Sequence, residues 1–277
     1  MKMLEGKVAA VTGAASGLGR AMALAFAGEG MHAALADVDE PGLKSTLNEV
    51  QSRGVRAFAM RVDVSRYQEV ESFCSKAIAQ FGAMHVVCNN AGVSPLGAVW
   101  ENTLADWQWI LGVNLWGVIH GVRAFVPRLL AQGEGHVVNT ASVAGLISPP
   151  GMGAYNVTKH AVVALSESLY HDLRLRGSPV GVSVLCPAYV PTGIADSERN
   201  RPRELLNPAK SSSKEETMLK KAVASGKLSA DDVARAVVAA VKEERFYVLT
   251  HPRIKGAIQA RMEDILEERP PRNPMAL

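Results

Sequence analysis

Residues 8–30 read VAAVTGAASGLGRAMALAFAGEG, and this stretch decides the fold. An apolar run comes first, three glycines follow at Gly13, Gly17 and Gly19, and the remainder has the spacing of an amphipathic helix. Because glycine has no Cβ, a backbone built from it can approach a pyrophosphate closely, and the positive end of a helix dipole favours that anion. The stretch therefore predicts a strand, a turn and a helix that bind a dinucleotide.

The same alternation of apolar runs and helical stretches continues along the chain. The runs are continuous in Val, Ala and Leu, as in parallel strands that are buried on both faces. We predict strands at 7–12, 32–37, 56–63, 85–89, 135–140, 180–186 and 246–250, and helices at 17–30, 65–81, 106–130, 154–175 and 229–243. The sequence thus predicts an α/β fold, a single doubly wound Rossmann domain over residues 1–277 with a seven-stranded parallel sheet and helices on both faces.

The composition does not indicate a nucleic-acid-binding or membrane protein. The net charge is +3, from 30 Lys and Arg against 27 Asp and Glu, and no basic stripe stands out. Cys74, Cys88 and Cys186 are not spaced as metal ligands, and no stretch approaches the ~18 apolar residues of a membrane helix. We therefore expect no metal, no nucleic-acid partner and no membrane contact and, from the scattered thiols, a cytoplasmic protein.

Asp37 ends the second predicted strand, 18 residues after Gly19. In dinucleotide-binding folds an acid about 20 residues after the glycine turn holds the adenosine ribose hydroxyls, and its charge repels a 2′-phosphate. Ser16 and Val38, the nearby positions that could carry a compensating base, are neutral. The sequence therefore favours NAD over NADP as the cofactor.

Tyr155 and Lys159 lie one turn apart in an otherwise apolar predicted helix, so that both side chains point the same way. A buried ammonium is costly without a partner, and a free tyrosine with a pKa near 10 is a poor base at neutral pH. Lowering that pKa by about 3 units requires about 4 kcal/mol, which one ammonium about 4 Å away supplies at an effective dielectric constant of about 20. The pair is predicted to act as an acid/base couple for the oxidation of an alcohol.

Six motifs, in chain order, resemble those of the short-chain dehydrogenase/reductase family over residues 5–250. They are TGAASGLG at 12–19, RVDV at 61–64, NNAG at 89–92, GVNLWG at 112–117, TASVAG at 140–145 and YNVTK at 155–159. The resemblance implies four catalytic residues, which are Asn114, Ser142, Tyr155 and Lys159. In the family, the serine hydrogen-bonds the substrate oxygen and the asparagine positions a water that relays the proton to solvent.

The resemblance also implies which residues hold the cofactor. Asp63 and Val64 would contact the adenine, Lys159 the nicotinamide ribose and Thr192 the carboxamide. The full implied set is Gly13, Ser16, Gly17, Leu18, Gly19, Asp37, Asp63, Val64, Asn90, Ala91, Gly92, Tyr155, Lys159, Pro187, Val190 and Thr192. Helices such as those around 106–130 and 154–175 commonly pack against a second subunit in this family, so we expect a homotetramer or a homodimer.

The chain departs from the family pattern after the sixth strand, where CPAYVPTGI at 186–194 has Ala188 in place of the usual glycine. The extra methyl group is expected to crowd the nicotinamide or to require a different backbone angle. Residues 193–228 are polar, and they are interpreted as a lid over the site or as a mobile surface excursion. The Pro-rich tail at 268–277 is expected to be poorly ordered.

Apolar residues near the predicted site favour a hydrophobic alcohol or ketone as substrate, with an aromatic, alicyclic or steroid-like structure. They are Val93, Pro95, Leu96, Leu146, Ile147 and Tyr189, with Met152 as a further candidate contact. Trp107 and Trp109 could border the substrate or serve only in packing. The stretch from Trp109 to Pro127, with RFYVLTHP at 245–252, is similar to bacterial relatives that oxidise hydroxyl groups beside aromatic rings.

Three functions are compatible with these residues. The first is an NAD-dependent oxidoreductase that transfers hydride between a secondary alcohol or ketone and nicotinamide, with tyrosine as the acid/base. The second is an NADPH-dependent reductase of 3-oxoacyl thioesters, which Asp37 disfavours. The third is a non-catalytic dinucleotide-sensing protein on the same scaffold, which would not need Tyr155 beside Lys159.

Overall fold

A seven-stranded parallel sheet forms the centre of the molecule. The structure is a computed structural model and describes residues 1–207 and 214–276. The strands are β1 (Val8–Thr12), β2 (His32–Asp37), β3 (Ala57–Arg61), β4 (Val86–Asn89), β5 (His136–Thr140), β6 (Gly181–Leu185) and β7 (Tyr247–Val248). They are paired in the order β3-β2-β1-β4-β5-β6-β7. The predicted fold is confirmed, and the order reverses between β1 and β4, the switch point at which doubly wound sheets bind ligands.

Helices cover both faces of the sheet. The helices of the described residues are α1 (Gly17–Gly28), α2 (Glu40–Gln51), α3 (Tyr67–Phe81), α4 (Leu104–Ile110), α5 (Gly117–Gln132), α6 (Gly153–Leu175), α7 (Lys214–Ala224), α8 (Ala230–Glu243) and α9 (Ile254–Leu266). The side chains of β1 alternate between the two layers: Ala9 and Val11 pack with α1, α2 and α8, whereas Val8 and Ala10 pack with α3, α5 and α6. Burial on both faces explains why the strands are continuously apolar.

The helix predicted at 106–130 is longer than expected and is interrupted by a π-helical segment. α4, the π-helical segment (Leu111–Trp116) and α5 form one run of 29 residues, Leu104–Gln132, that is apolar and long enough to cross a membrane, contrary to the sequence-based expectation. Half of its most apolar window is buried within the protein, where Phe125 and Leu129 join the core. Packing against the sheet therefore accounts for its apolar composition.

Three helices, α2, α7 and α9, are absent from the prediction. α2 buries only Leu43, Thr46 and Val50, so its apolar pattern is sparse, but the side chain of Asp39 caps its start by accepting the Gly42 N–H at 3.2 Å. The predicted strand at 56–63 is shorter in the structure, as is that at 246–250. These differences leave the strand order and the topology of the sheet unchanged.

The two segments predicted to be irregular are partly ordered. Within 193–228 the structure contains two 3₁₀-helices, Gly193–Asn200 and Arg203–Leu205, followed by α7, whereas residues 208–213 lie outside the described residues. In the tail, the Arg272 N–H and guanidinium donate to the Asp264 carboxylate at 3.0 and 2.8 Å. This contact fastens the tail to α9, in contrast to the expected poor order.

Candidate active site

The three glycines of the first turn meet three different geometric needs. Gly13 has φ +68°, and a Cβ on it would lie 2.8 Å from the Cα of Ala91. Gly17 has φ +53°, a conformation that side chains disfavour. A Cβ on Gly19 would lie 2.0 Å from the Gly13 carbonyl oxygen. A side chain at any of these positions would distort the turn that opens α1.

Thr12, which the sequence analysis does not single out, joins this turn to the loop after β4. Its hydroxyl oxygen accepts the N–H groups of Asn90 at 2.9 Å and Ala91 at 3.1 Å. The Asn90 amide in turn donates to the Thr12 carbonyl at 3.0 Å and accepts from the Thr140 hydroxyl at 3.2 Å. The predicted cofactor residues Asn90 and Ala91 are thus fixed against both β1 and β5.

Two carboxylates are held rigidly at the ends of β2 and β3. Asp37 accepts the N–H groups of Ala15 at 2.9 Å and Asp39 at 3.0 Å. Asp63 accepts the N–H and the hydroxyl of Ser65 at 3.0 and 2.7 Å. Both acids line the same cavity as the glycine turn. Their hydrogen bonds fix both carboxylates at the border of this cavity.

One cavity of about 890 Å³ connects these groups with the predicted catalytic residues. Of the predicted cofactor residues, only Gly19 does not line it, because Gly19 shapes the turn from behind. A glycine turn at a helix N-terminus, acids beyond it and a lysine at the far end are complementary to a dinucleotide. The residues present therefore fit a dinucleotide cofactor.

Ser142, Tyr155 and Lys159 meet at the far end of the cavity. The Ser142 hydroxyl interacts with the Tyr155 phenol and lowers its pKa, and the Lys159 ammonium lies 5.5 Å from the centre of the Tyr155 ring. Lys159 is 3% exposed and donates to the Thr140 carbonyl at 2.8 Å. Gly145 allows this approach, since a Cβ there would lie 2.4 Å from the Lys159 carbonyl oxygen. The tyrosine and lysine face the same way, as their helical spacing predicts.

Burial shifts both ionisable groups toward their neutral forms. It raises the pKa of the Tyr155 phenol to about 12, against an opposing effect of the Ser142 hydroxyl. It lowers the pKa of the Lys159 ammonium to about 8. The sequence-based expectation that Lys159 alone brings the tyrosine near neutrality is therefore wrong for the ligand-free protein. That expectation neglected the cost of placing a phenolate in a buried site.

Asn114 lies in the π-helical segment and is fully buried. Its carbonyl oxygen accepts the Val93 N–H at 2.8 Å, and its amide donates to the Val93 carbonyl at 2.9 Å. Unlike the other three predicted catalytic residues, it does not line the cavity. π-helical turns often mark functional sites because they re-aim one side chain. Here the asparagine holds the loop between the cofactor and substrate regions, a contact that the predicted water relay did not include.

Apolar side chains from helices and loops line the end of the cavity that is predicted to take the substrate. Of the residues predicted to contact substrate, Val93, Trp109, Met152 and Tyr189 line it, whereas Pro95, Leu96, Trp107, Leu146 and Ile147 do not. Further lining residues that sequence reasoning missed include Ile194, Leu205 and Val223. They come from the region at 193–228, where no local pattern distinguishes them.

Residues 193–207, here called the covering segment, are fastened across the cavity by a buried ion pair. Arg201 and Asp106 are each 1% exposed and lie 2.5 Å apart. The guanidinium also lies 4.2 Å from the centre of a Trp109 ring and pairs with Glu198. At the start of the segment, the Ser197 hydroxyl accepts the Ser94 N–H at 3.0 Å. These contacts hold the segment against α4 and the loop after β4.

Ala188 replaces the usual glycine without backbone strain. Its φ lies outside the left-handed region, so the expected change of backbone angle is not required. The residue is half-buried and lines the cavity between Pro187 and Tyr189. The substitution is therefore accommodated by ordinary backbone geometry.

The fold and the site together define the class of protein. The family model for short chain dehydrogenases matches residues 7–203, and the chain belongs to this family. A short-chain dehydrogenase/reductase from Burkholderia phymatum, solved in complex with NAD, is 50% identical, with 100% of both chains covered and a TM-score of 0.97.

Curated relatives extend the likeness to nearly the whole chain. The 1-deoxy-11-beta-hydroxypentalenate dehydrogenase of Streptomyces exfoliatus is 36% identical over 265 residues, covering 95% of this chain and 89% of the relative. The CLA biosynthesis dehydrogenase/reductase of Lactiplantibacillus plantarum is 32% identical over 277 residues, covering 98% and 97%. The chain is thus an oxidoreductase of this family.

Proposed function

We propose that the protein is an NAD-dependent dehydrogenase that transfers hydride between a secondary alcohol, or the matching ketone, and the nicotinamide ring. One observation carries the proposal: a single cavity joins Asp37 and the glycine turn at one end to Ser142, Tyr155 and Lys159 at the other. The Burkholderia phymatum relative, which was solved with NAD, supports the choice of cofactor.

The tyrosine needs a nearby cation to act as a base. Bound NAD would supply a hydride acceptor and a positive charge. Tyr155 takes the hydroxyl proton of the alcohol on Oη, and Ser142 hydrogen-bonds the same substrate oxygen. Because burial raises the phenol pKa to about 12, ionisation near neutrality requires positive charge close by. With its pKa at about 8, Lys159 remains mostly an ammonium at pH 7 and provides part of that charge.

The walls of the substrate end favour an apolar alcohol or ketone. Trp109, Met152 and Tyr189 present aromatic and aliphatic surface, and Ile194 adds to it from the covering segment. The Arg201 guanidinium, which also lines the cavity, is neutralised by Asp106 and Glu198. An apolar wall with neutralised charge favours ring-containing hydrophobic substrates over polar ones. The Streptomyces relative is likewise named for a hydroxylated substrate.

Two other functions are separated from this one by specific residues. An NADPH-dependent reductase of 3-oxoacyl thioesters would place a 2′-phosphate against the fixed carboxylate of Asp37, which repels it. A dinucleotide sensor would not need Ser142 and Lys159 gathered around Tyr155. Tighter binding of NADPH than NADH would support the first, and NAD binding without turnover would support the second.

The test follows absorbance at 340 nm with NAD and a panel of hydrophobic secondary alcohols. Tyr155→Phe is expected to keep NADH affinity within about twofold and to lose turnover by about 10²–10⁴-fold, because only the acid/base group is removed. Tyr170→Phe is the matched control, since Tyr170 lies on the same helix but does not line the cavity. Turnover that survives in Tyr155→Phe would refute the assignment.

A further inference from the structure

The loop after β6 carries three of the predicted cofactor residues, Pro187, Val190 and Thr192, and contacts hold it from both sides. On the β5 side, the Ser142 hydroxyl and the Val143 N–H donate to the Pro187 carbonyl at 3.3 and 3.0 Å. On the β7 side, Nδ1 of His251 accepts the Ala188 N–H at 3.2 Å. The loop is thus held between a predicted catalytic serine and a histidine 63 residues further along the chain.

The His251 side chain replaces a backbone hydrogen-bond acceptor at the end of the β6–β7 pairing. The donors of β6 alternate along the strand: the Val184 N–H donates to the Phe246 carbonyl at 2.7 Å, and the Cys186 N–H to the Val248 carbonyl at 3.0 Å. The next donor in this series is Ala188, but β7 ends at Val248. The imidazole accepts the hydrogen bond that a longer β7 would have accepted with its backbone. The ladder therefore extends by one side-chain contact into the cofactor loop.

The contacts of His251 define its tautomer. Because Nδ1 accepts the Ala188 N–H, the ring proton resides on Nε2. The Thr250 hydroxyl lies 2.9 Å from Nδ1. Interaction with the Tyr189 backbone opposes the effect of burial on the His251 pKa. Burial lowers the pKa of His251, which favours this neutral form. One ring therefore holds the Ala188 N–H and interacts with the backbone of the next residue, Tyr189.

The chain at Gly226 also packs closely against this backbone. A Cβ on Gly226 would lie 2.5 Å from the Tyr189 carbonyl oxygen and 2.9 Å from Pro191. The chain between α7 and α8 can approach the loop only because position 226 has no side chain. His251 does not line the cavity, so it acts on the loop and not on the ligand directly.

We propose that His251 is a positioning residue that holds the Ala188–Tyr189 backbone, and through it the nicotinamide-binding part of the cofactor site. The inference rests on the proposed function, since it takes a nicotinamide dinucleotide as the ligand. It concerns only the nicotinamide half, because no hydrogen bond within residues 1–207 and 214–276 joins His251 to the glycine turn or to Asp37 at the other end of the cavity.

The experiment compares two ligands and three variants by isothermal titration calorimetry. NADH reports on the whole site, whereas ADP-ribose lacks the nicotinamide. His251→Phe removes both polar contacts, and His251→Asn places an amide acceptor near the position of Nδ1 and keeps a donor. His171→Asn, on the exposed surface of α6, controls for replacement of a histidine in general.

We expect His251→Phe to weaken NADH binding about tenfold with ADP-ribose affinity unchanged, and His251→Asn to restore NADH affinity to within about threefold of wild type. Equal losses for both ligands, unchanged NADH binding, or an asparagine variant as weak as the phenylalanine variant would overturn the proposal. If His251→Phe does not fold, the proposal is tested with the ring ¹⁵N resonance of His251 in the wild-type protein. It should shift with NADH and not with ADP-ribose, and equal shifts contradict the proposal. A wild-type protein that binds neither ligand refutes the proposed function itself.

Discussion

Replacement of Arg201 by methionine tests the proposal that the covering segment acts as a lid. Arg201 and Asp106 are almost completely buried, at 1% exposure each. Removing one member of such a pair leaves the other charge uncompensated, which costs about 3–5 kcal/mol. At about 1.4 kcal/mol per factor of ten, opening of the segment becomes more favourable by about two to four orders of magnitude. Methionine keeps an apolar stem against Trp109, so the loss of charge is isolated from the loss of packing.

Hydrogen–deuterium exchange of peptides from the covering segment measures this opening. Arg201→Met is expected to accelerate exchange at least about 100-fold and to raise the KM for the substrate more than it lowers kcat. Arg199→Met is the matched control, because the Arg199 guanidinium is exposed and donates to the carbonyls of Gly193 and Asp196 at 2.8 Å. Equal exchange rates in the two variants would show that the buried pair does not hold the segment closed.

Three further outcomes follow from the site and the surface. Asp37→Ala should reduce the preference for NAD over NADP at least about tenfold; an unchanged ratio of kcat/KM values would argue against the ribose contact. Because burial lowers the Lys159 pKa from 10.5 to about 8, the unfolded state binds more protons between these pH values, so stability rises with pH there. Urea unfolding should show wild type gaining on the order of 3 kcal/mol over Lys159→Met across this range, and a pH-independent difference contradicts this. Trp116 is 52% exposed and lies in the segment predicted at 106–130, which is expected to contact a second subunit. Replacing Trp116 with Glu should therefore lower the molar mass of the protein measured by light scattering. Trp100→Glu is the control, and equal masses for wild type and the Trp116 variant would count against that interface.

The sheet could be predicted from sequence because each strand carries its own signal. Every residue of β1, β5 and β6 is buried, and apolar residues predominate in these strands, as expected for strands covered on both faces. α2 lacks such a signal because only three of its residues are buried, although Asp39 followed by Pro41 indicates its start. The π-helical segment has no readable periodicity. Local pattern therefore predicts an element when burial is extensive and fails when it is sparse.

The predicted catalytic residues could be found because they lie in short motifs, whereas the contacts that support them could not. Arg201 and Asp106 are 95 residues apart, and His251 and Ala188 are 63 apart. Neither pair has a local pattern, since each is formed only when distant loops meet. The pKa of Tyr155 could not be predicted for a related reason: it depends on burial by several elements that the sequence does not show together.

Val93 and Ser94 are consecutive residues tied to different parts of the protein: Val93 to Asn114, and Ser94 to Ser197 of the covering segment. Because the two hydrogen-bonded residues are adjacent in the main chain, loss of the contact with Asn114 would also increase the mobility of the Ser94 backbone. An Asn114 variant would therefore lose activity for two reasons at once, and its rate alone would overstate what the amide does for chemistry.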